Sequence, residues 1–132
     1  MIVSAVFHGV KEAMSAVEGM VERIDALTRG AVAAGAHLIE AAGKKETPVD
    51  TGTLRRSWFV EGPIGLGLGS YLARIGPTTA YARRVDLGFS GSDSMGRTYH
   101  QPPNPYAERG YKAAMPAVNA LFRDAWATAI GV

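Results

Sequence analysis

Cysteine is absent from this sequence of 132 residues. Its absence excludes disulfide frameworks, thiol catalysis and cysteine-based zinc sites, and it fits a protein made in a reducing cytoplasm. Long apolar runs are also missing, because charged residues or glycines interrupt each one well short of a membrane span. The N-terminal MIVSAVFHGVKEA has no basic region before an apolar stretch. We therefore expect no export signal and no membrane segment.

Strong charge of either sign is lacking as well. Fourteen lysines and arginines stand against 12 acidic residues, which leaves a net charge of +2. A dedicated nucleic-acid binder concentrates its basic residues into a patch or stripe, so this balance is weak evidence for any partner. Length and composition, with 47% apolar and 20% charged residues, are typical of one globular domain. We expect residues 1–132 to form a single domain.

The first third of the chain predicts a long helix. It contains no proline, and its glycines each cost about 1 kcal/mol relative to alanine, so a kink or break near Gly30 is possible. We place the helix at residues 1–43, because Gly43 precedes two lysines and Pro48 prevents easy continuation. Apolar or small residues recur at helical spacing: Val17, Met20, Val21, Ile24, Leu27, Ala31, Gly35, Leu38 and Ala42.

Residues 47–89 predict a turn followed by an antiparallel sheet. Leu54, Trp58 and Val60 alternate with polar residues, which indicates a half-buried strand. The glycine-rich GPIGLGLGS leads into a second alternating run, so the two form a hairpin with a glycine-rich tip. Residues 81–89 fit a helix face and a strand face, and we favour a short turn that runs into a strand.

Residues 90–103 have no periodicity and many glycines, serines and prolines, which predicts a long loop. We hypothesise that this loop is mobile in the free protein. The closing helix is placed at residues 104–130, with Asn104 as N-cap, Pro105 in its first turn, and Pro116 interrupting or restarting it. The predicted fold is α+β: a long N-terminal helix, a small antiparallel sheet of three to four strands, a long loop and a C-terminal helix.

Reactive residue types do not form a recognisable site. His8, His37 and His100 lie far apart, and none has a second ligand at helical spacing, so we expect no metal site. The glycine run lacks the ending of a P-loop and leads into a strand, which favours a hairpin tip over a phosphate site.

Catalytic and nucleic-acid alternatives stay open at this point. Three carboxylates, Asp50, Asp86 and Glu108, are candidates for acid–base work, although scattered carboxylates are usually caps or solvated charges. The pairs Arg55-Arg56 and Arg83-Arg84 are candidates for phosphate contacts. In a strand, however, neighbouring side chains point to opposite faces, which would dilute such a patch.

The segment TPVDTGTLRRSW, residues 47–58, resembles the hallmark of the HK97 gp10-like family of tailed-bacteriophage proteins. That family has a Pro-x-Asp-Thr-Gly-x-Leu-Arg-x-Ser run directly after a long N-terminal helix. Seven residues match the run: Pro48, Asp50, Thr51, Gly52, Leu54, Arg55 and Ser57.

Weaker matches to the same family follow in the expected order. The family has a Tyr-Ala pair followed by Glu-x-Gly, then an Asn-Pro-Phe-like step before the closing helix, and a proline-alanine step within that helix. The corresponding residues here are Tyr81, Ala82, Asp86, Gly88, Asn104, Pro105, Tyr106, Pro116 and Ala117.

The resemblance implies a non-enzymatic virion structural protein at the head–tail interface, made in the bacterial host cytoplasm. It implies a neck or tail-completion subunit (a head-tail connector) that forms a ring, with six copies expected from tail symmetry. Its partners would be its own copies, a head-closure or stopper protein on one side, and a tail terminator or tail tube protein on the other. Genome DNA would pass through the lumen without specific binding. No catalytic residue, cofactor, metal or membrane is implied.

Residue chemistry is compatible with such a role for the motif. Asp50 and Thr51 can hydrogen-bond nearby amides, and Gly52 can adopt the positive φ that a tight turn needs. Arg55 or Arg56 can reach a carboxylate in the same or a neighbouring subunit. Two alternatives remain: a tail terminator of the same interface, and a nucleic-acid-binding module that uses the paired arginines.

Overall fold

Eight helices and strands follow one another in the computed structural model, which describes residues 2–49, 52–67 and 69–131, with side chains from Lys11 onward. The fold is α+β, as predicted. In chain order the elements are α1 (Ile2–Glu46), α2 (Thr53–Arg56), β1 (Trp58–Gly67), β2 (Ser70–Pro77), α3 (Ala82–Leu87), β3 (Phe89–Ser92), β4 (Thr98–Gln101) and α4 (Tyr106–Ile130).

Helix α1 is continuous through Gly30, so the possible break there does not occur. It also runs past the predicted end at Gly43 to Glu46. Gly43 is not a cap, because the indole of Trp58 lies directly against it and needs a residue without a side chain. The helix ends instead at Glu46, and the hydroxyl of the next residue, Thr47, donates to the Gly43 carbonyl over 2.6 Å just before Pro48.

Helices α1 and α4 pack antiparallel and form the long axis of the molecule. A methyl group added to Gly35 would lie 3.3 Å from Val118, which shows how closely the two helices approach. Nearer the far end, Trp126 Nε1 donates to Thr28 Oγ1 over 3.0 Å. Small residues therefore set the distance between these helices, as the ridges of one helix fill the grooves of the other.

Helix α4 differs from its prediction at two prolines. It continues through Pro116, which is exposed, as is Lys112 four residues earlier, so water can satisfy the carbonyl that loses its partner. Pro105, rather than Asn104, occupies the N-cap position, and no side chain caps the helix. The Asn104 side chain instead accepts a hydrogen bond from Arg109 Nη2 over 2.6 Å.

The strand predicted to begin near Leu54 begins only at Trp58. Residues 53–56 form a helical turn, in which the Arg56 amide donates to the Gly52 carbonyl over 3.0 Å. Leu54 and Trp58 are four residues apart, a spacing that fits a helix as well as a strand, and both are buried. The spacing of Leu54 and Trp58 therefore reflects a helical turn and not the two-residue period of a strand.

The first hairpin is confirmed. Strands β1 and β2 pair antiparallel, with Trp58 opposite Pro77 and Val60 opposite Ile75. Most of the glycine-rich run lies within β1 rather than at the tip, and the pairing shifts register twice in that run. The hairpin is tied to α1, since Tyr71 of β2 donates its hydroxyl to Asp25 over 2.6 Å.

Residues 81–103 differ most from the sequence prediction. Residues 82–87 form helix α3, where we favoured a short turn, although a strand does begin at Phe89. The predicted irregular loop 90–103 contains most of a second antiparallel hairpin, β3–β4. The strand number is within the predicted three to four, but the single sheet is wrong, because the four strands of the described residues form two separate two-stranded sheets.

A local turn explains the second hairpin. The Asp93 Oδ1 accepts hydrogen bonds from the amides of Met95 and Arg97 over 3.0 and 2.9 Å. Gly96 supplies the positive φ of 80° that closes the turn. These bonds do not depend on apolar periodicity, so a search for alternation misses them. The predicted mobility of the segment in the free protein stays a prediction.

Candidate functional site

The family-like motif lies where the C-terminal end of α1 meets α2, β1 and the start of α4. Trp58 is 6% exposed and Tyr106 is 1% exposed, and their rings meet edge to face with centroids 6.3 Å apart. Leu54 and Ala82 complete this buried cluster. We call these four residues the junction core.

The junction core is tied to α1 by a chain of two hydrogen bonds. Trp58 Nε1 donates to Thr47 Oγ1 over 2.9 Å, and that hydroxyl donates to the Gly43 carbonyl. Thr47 is only 3% exposed, and these two bonds satisfy its hydroxyl and the indole N–H of Trp58 within the protein. A methyl group built on Gly110 of α4 would lie 2.5 Å from the Gly43 Cα. Two glycines thus let α1, α4 and the indole meet at one point.

The residues of the main motif hold the turn before β1. Gly52 has a φ of 81°, as the sequence predicted for a tight turn. The Ser57 hydroxyl donates to the Leu54 carbonyl over 2.8 Å and accepts from the Thr78 amide over 3.2 Å, which joins α2 to the end of β2. Arg55 Nε donates to the Lys44 carbonyl over 2.9 Å, so its partner is backbone rather than a carboxylate. Asp50 and Thr51 lie outside the described residues, and Pro48 is exposed.

The weaker motif residues surround the same core. The Tyr106 hydroxyl donates to the Ala82 carbonyl over 3.2 Å, and burial raises the pKa of this phenol. Gly88 has a φ of 80°, and a side chain there would collide with the Gln101 carbonyl 2.8 Å away. The Asn104 amide donates to the Asp86 carbonyl over 3.2 Å. Tyr81 is exposed and lines the groove outside the core.

Two side-chain oxygens in this region have no hydrogen-bond partner among the described residues: Thr79 Oγ1 and Asp86 Oδ1. The Ser57 hydroxyl bonds backbone on both sides. Among the described residues a hydroxyl does lie beside an imidazole at Ser90 and His100, on the exposed second hairpin. His37 is exposed beside Glu40, His100 lies 2.8 Å from Ser90 Oγ, and the His8 side chain is outside the described part. Within the described residues no three potential ligands gather to hold a metal ion.

Sequence reasoning missed Thr47 and Gly110, and it assigned Gly43 the wrong task. Thr47 stands at the start of the motif segment, but its buried hydroxyl is recognisable only once Trp58 is placed over α1. Gly110 follows the start of α4 and has no local signal other than being a glycine inside a helix. Close approach between distant elements leaves little trace in a single sequence.

An apolar groove lies outside the junction core, between α2, α3 and the second hairpin. It consists of two adjoining cavities of about 930 and 680 Å³. The two cavities share four lining residues: Tyr81, Val85, Gln101 and Pro102. Among the described helices, none is long and apolar enough to cross a membrane.

Fold and site together define a small α+β protein whose motif residues build a junction between two helices and a hairpin. The model of the family described as "Bacteriophage HK97-gp10, putative tail-component" matches residues 11–88, which is more than half of the chain. The chain therefore belongs to this family of phage tail components, and the family places it in the virion. Searches of curated proteins and of solved structures give no match.

Proposed function

We propose that this chain is a neck or tail-completion subunit that catalyses no reaction and forms a ring joining the head-closure complex to the tail. Six copies are expected from the symmetry of tails. In this arrangement the chain contacts its own copies, a head-closure protein on one side and a tail terminator or tail tube protein on the other, and genome DNA passes through the lumen.

The observation that carries the proposal is that the described motif residues are used in folding. Leu54 is buried, the Ser57 hydroxyl bridges α2 to the end of β2, and Tyr106 is satisfied by a backbone carbonyl. Because the motif stabilises the fold, function depends on the outer surfaces, as expected for a subunit that acts by contacting other proteins. Apolar side chains on those surfaces support this reading, for example Val17 at 59% and Leu66 at 62% exposed.

A stop codon in the phage gene tests this role. If the chain joins heads to tails, electron microscopy of the lysate will show filled heads and tails of normal length that are not attached. Supplying the chain from a plasmid should restore joined particles. Joined, infectious particles in the absence of the chain would contradict the proposal.

The same micrographs separate the alternative of a tail terminator. A terminator caps the growing tube, so its loss leaves the length of the tail unregulated. Tails of variable or excessive length would assign the chain to that position, whereas a narrow distribution of lengths supports the neck or tail-completion position.

Nucleic-acid binding is a second candidate, because both arginine pairs lie on helices and not on the strands that the sequence predicted. Arg55 and Arg56 lie on α2, and Arg83 and Arg84 lie on α3. Neighbouring side chains on a helix do not point to opposite faces as they do on a strand, so both arginines of a pair can contribute to one basic patch. Affinity for duplex DNA, measured at several salt concentrations, tests this reading. A steep fall of affinity with salt that is lost in Arg56→Glu supports DNA contact, and no binding at physiological salt rejects it.

A further inference from the structure

The described side chains of helix α1 extend beyond the elements that pack on it. The last described contact from α4 is the hydrogen bond from Arg23 Nε to the Ala129 carbonyl, 3.2 Å long, and β2 reaches α1 at Asp25. Every residue from Lys11 to Glu18 is exposed. We call residues 2–22 the overhang, which extends for about 30 Å at the rise of an α-helix.

The described part of the overhang has an exposed apolar stripe, and Val21 at its inner end borders a cavity that Trp126 of α4 also lines. Met14, Val17 and Val21 are 59, 59 and 58% exposed. They continue at helical spacing the face on which Thr28 and Gly35 pack against α4. The face that is covered over the second half of the helix is therefore exposed at Met14 and Val17.

Glutamates flank this stripe on one side. At 100° per residue, Glu18 lies next to the stripe and Glu22 further round on the same side with Lys11 between them, whereas Glu12 lies on the opposite side of the helix. Glu18 borders the same shallow surface as Met14 and Val17. The overhang thus presents an apolar face whose charged edge carries two glutamates and one lysine.

The groove outside the junction core has the complementary character. Its floor is apolar, with Val49, Val85 and prolines among its lining residues. Arg56 lies beside it, since its Nη1 is 3.3 Å from the position of a methyl group on Gly52, and Arg84 lines its second cavity. The carboxylate of Asp93 in that cavity is already bonded to Arg97 over 2.7 Å.

The overhang cannot fill the groove of its own chain. Val17 and Thr47 are separated by 30 residues of one continuous helix, or about 45 Å. A rigid helix of that length keeps its two ends apart, so only another molecule can bring the two surfaces together.

We propose that the overhang of one copy docks as a helix into the groove of a second copy, with Glu18 and Glu22 facing Arg56 and Arg84. The contact joins two different surfaces, so it is head-to-tail and repeats from copy to copy until a ring closes. This inference deepens the proposed function and rests on it, because it names the surfaces through which the ring subunits meet.

Engineered cysteines test the contact directly, since the chain has none of its own. Val17→Cys and Val49→Cys change one exposed residue of the overhang and one lining residue of the groove. Under mild oxidation the double variant should give a ladder of covalent oligomers, and an equimolar mixture of the single variants should give dimers. Val17→Cys paired with Ala113→Cys, an exposed residue of α4 outside the groove lining, is the control and should give neither.

Each other outcome overturns the inference. Dimers of Val17→Cys alone would show that two overhangs pair with each other. An absence of cross-links in the double variant would show that the overhang does not reach the groove. Native mass spectrometry of the wild-type protein separates failure of this contact from failure of the proposed function. If the wild-type protein forms rings but the cysteine variants give no cross-links, this contact is rejected and the proposed function is not.

Charge reversal provides an independent test by sedimentation. Glu18→Lys combined with Glu22→Lys should weaken association by about tenfold, as expected for two rim ion pairs. Adding Arg56→Glu and Arg84→Glu should restore it, because the pairs are re-formed with opposite sign. Glu12→Lys makes the same change on the opposite side of the helix and should leave the dissociation constant unchanged. Equal weakening by Glu12→Lys would reject specific docking.

Discussion

Gly43 is the residue at which two helices and an indole ring meet. A side chain on it would overlap the Trp58 ring, and the backbone of Gly110 approaches it from α4. Glycine within a helix is unfavourable because of its backbone entropy, so its place here reflects packing rather than helix formation. The 16 glycines of the chain are therefore not equivalent.

Gly43→Ala and Gly30→Ala should have opposite effects on stability. The first forces Trp58 out of its position and should lower the free energy of unfolding by about 2 kcal/mol, in the range found for overpacked cores. The second adds a methyl group where no atom lies within 4 Å and should raise it by about 1 kcal/mol. Urea unfolding of both variants checks this. If the two substitutions changed the free energy of unfolding equally, Gly43 would not be in close contact with Trp58.

The hydroxyl of Thr47 can be tested apart from its size. Thr47→Val keeps the shape but leaves Trp58 Nε1 buried without an acceptor, which should cost about 1–3 kcal/mol. Thr47→Ser keeps the hydroxyl and should lose distinctly less stability. Thermal unfolding, together with tryptophan fluorescence of the junction core, compares the two. If valine is as stable as serine, the bond to the indole contributes little.

At the scale of elements, the β3–β4 hairpin depends on one carboxylate. Hydrogen bonds from the Arg97 backbone, followed by those from its side chain and from Tyr99 and Met95, hold the pKa of Asp93 below its ordinary value despite some desolvation. A lowered folded-state pKa means that the carboxylate stabilises the turn at any pH above the unfolded-state value of about 4. This contribution is lost as the pH falls through the folded-state pKa.

The hairpin should therefore loosen in acid before the rest of the molecule does. As the pH falls below the ordinary aspartate pKa of about 4, amide NMR signals of Met95 and Arg97 should shift toward random-coil values. Asp93→Asn keeps one acceptor without the charge, so its signals should depend on pH much less. A pH-independent hairpin in the unsubstituted chain would show that strand pairing alone maintains the turn.

Several elements were predictable and others were not, for identifiable reasons. The two long helices and the first hairpin follow from sustained periodicity, and their existence is confirmed. Leu54 was misplaced because a spacing of four suits both periods over so short a run. The second hairpin was missed because its turn is held by the Asp93 side chain and its strands have only four residues each.

At the scale of the whole molecule, the overhang has exposed side chains from Lys11 to Glu18. Val17→Asp should leave thermal stability within about 0.5 kcal/mol of the original, because this side chain is exposed. The same change at Val118, which is 6% exposed against α1, buries an unpaired charge and should unfold the protein. Circular dichroism measures both, and sedimentation should show that Val17→Asp no longer associates. Association retained in a folded Val17→Asp would remove the overhang from the interface.

The sequence by itself determined the fold class, the long helices, the first hairpin and the motif by which the family was suspected, because periodicity, turn residues and local spacing are properties of neighbouring residues. The tertiary structure decided the use of those residues. It placed Trp58 on Gly43, made the described motif residues part of a junction, and left residues 11–18 of α1 exposed. Such arrangements depend on contacts between residues far apart in the chain, and a single sequence does not specify which distant surfaces meet.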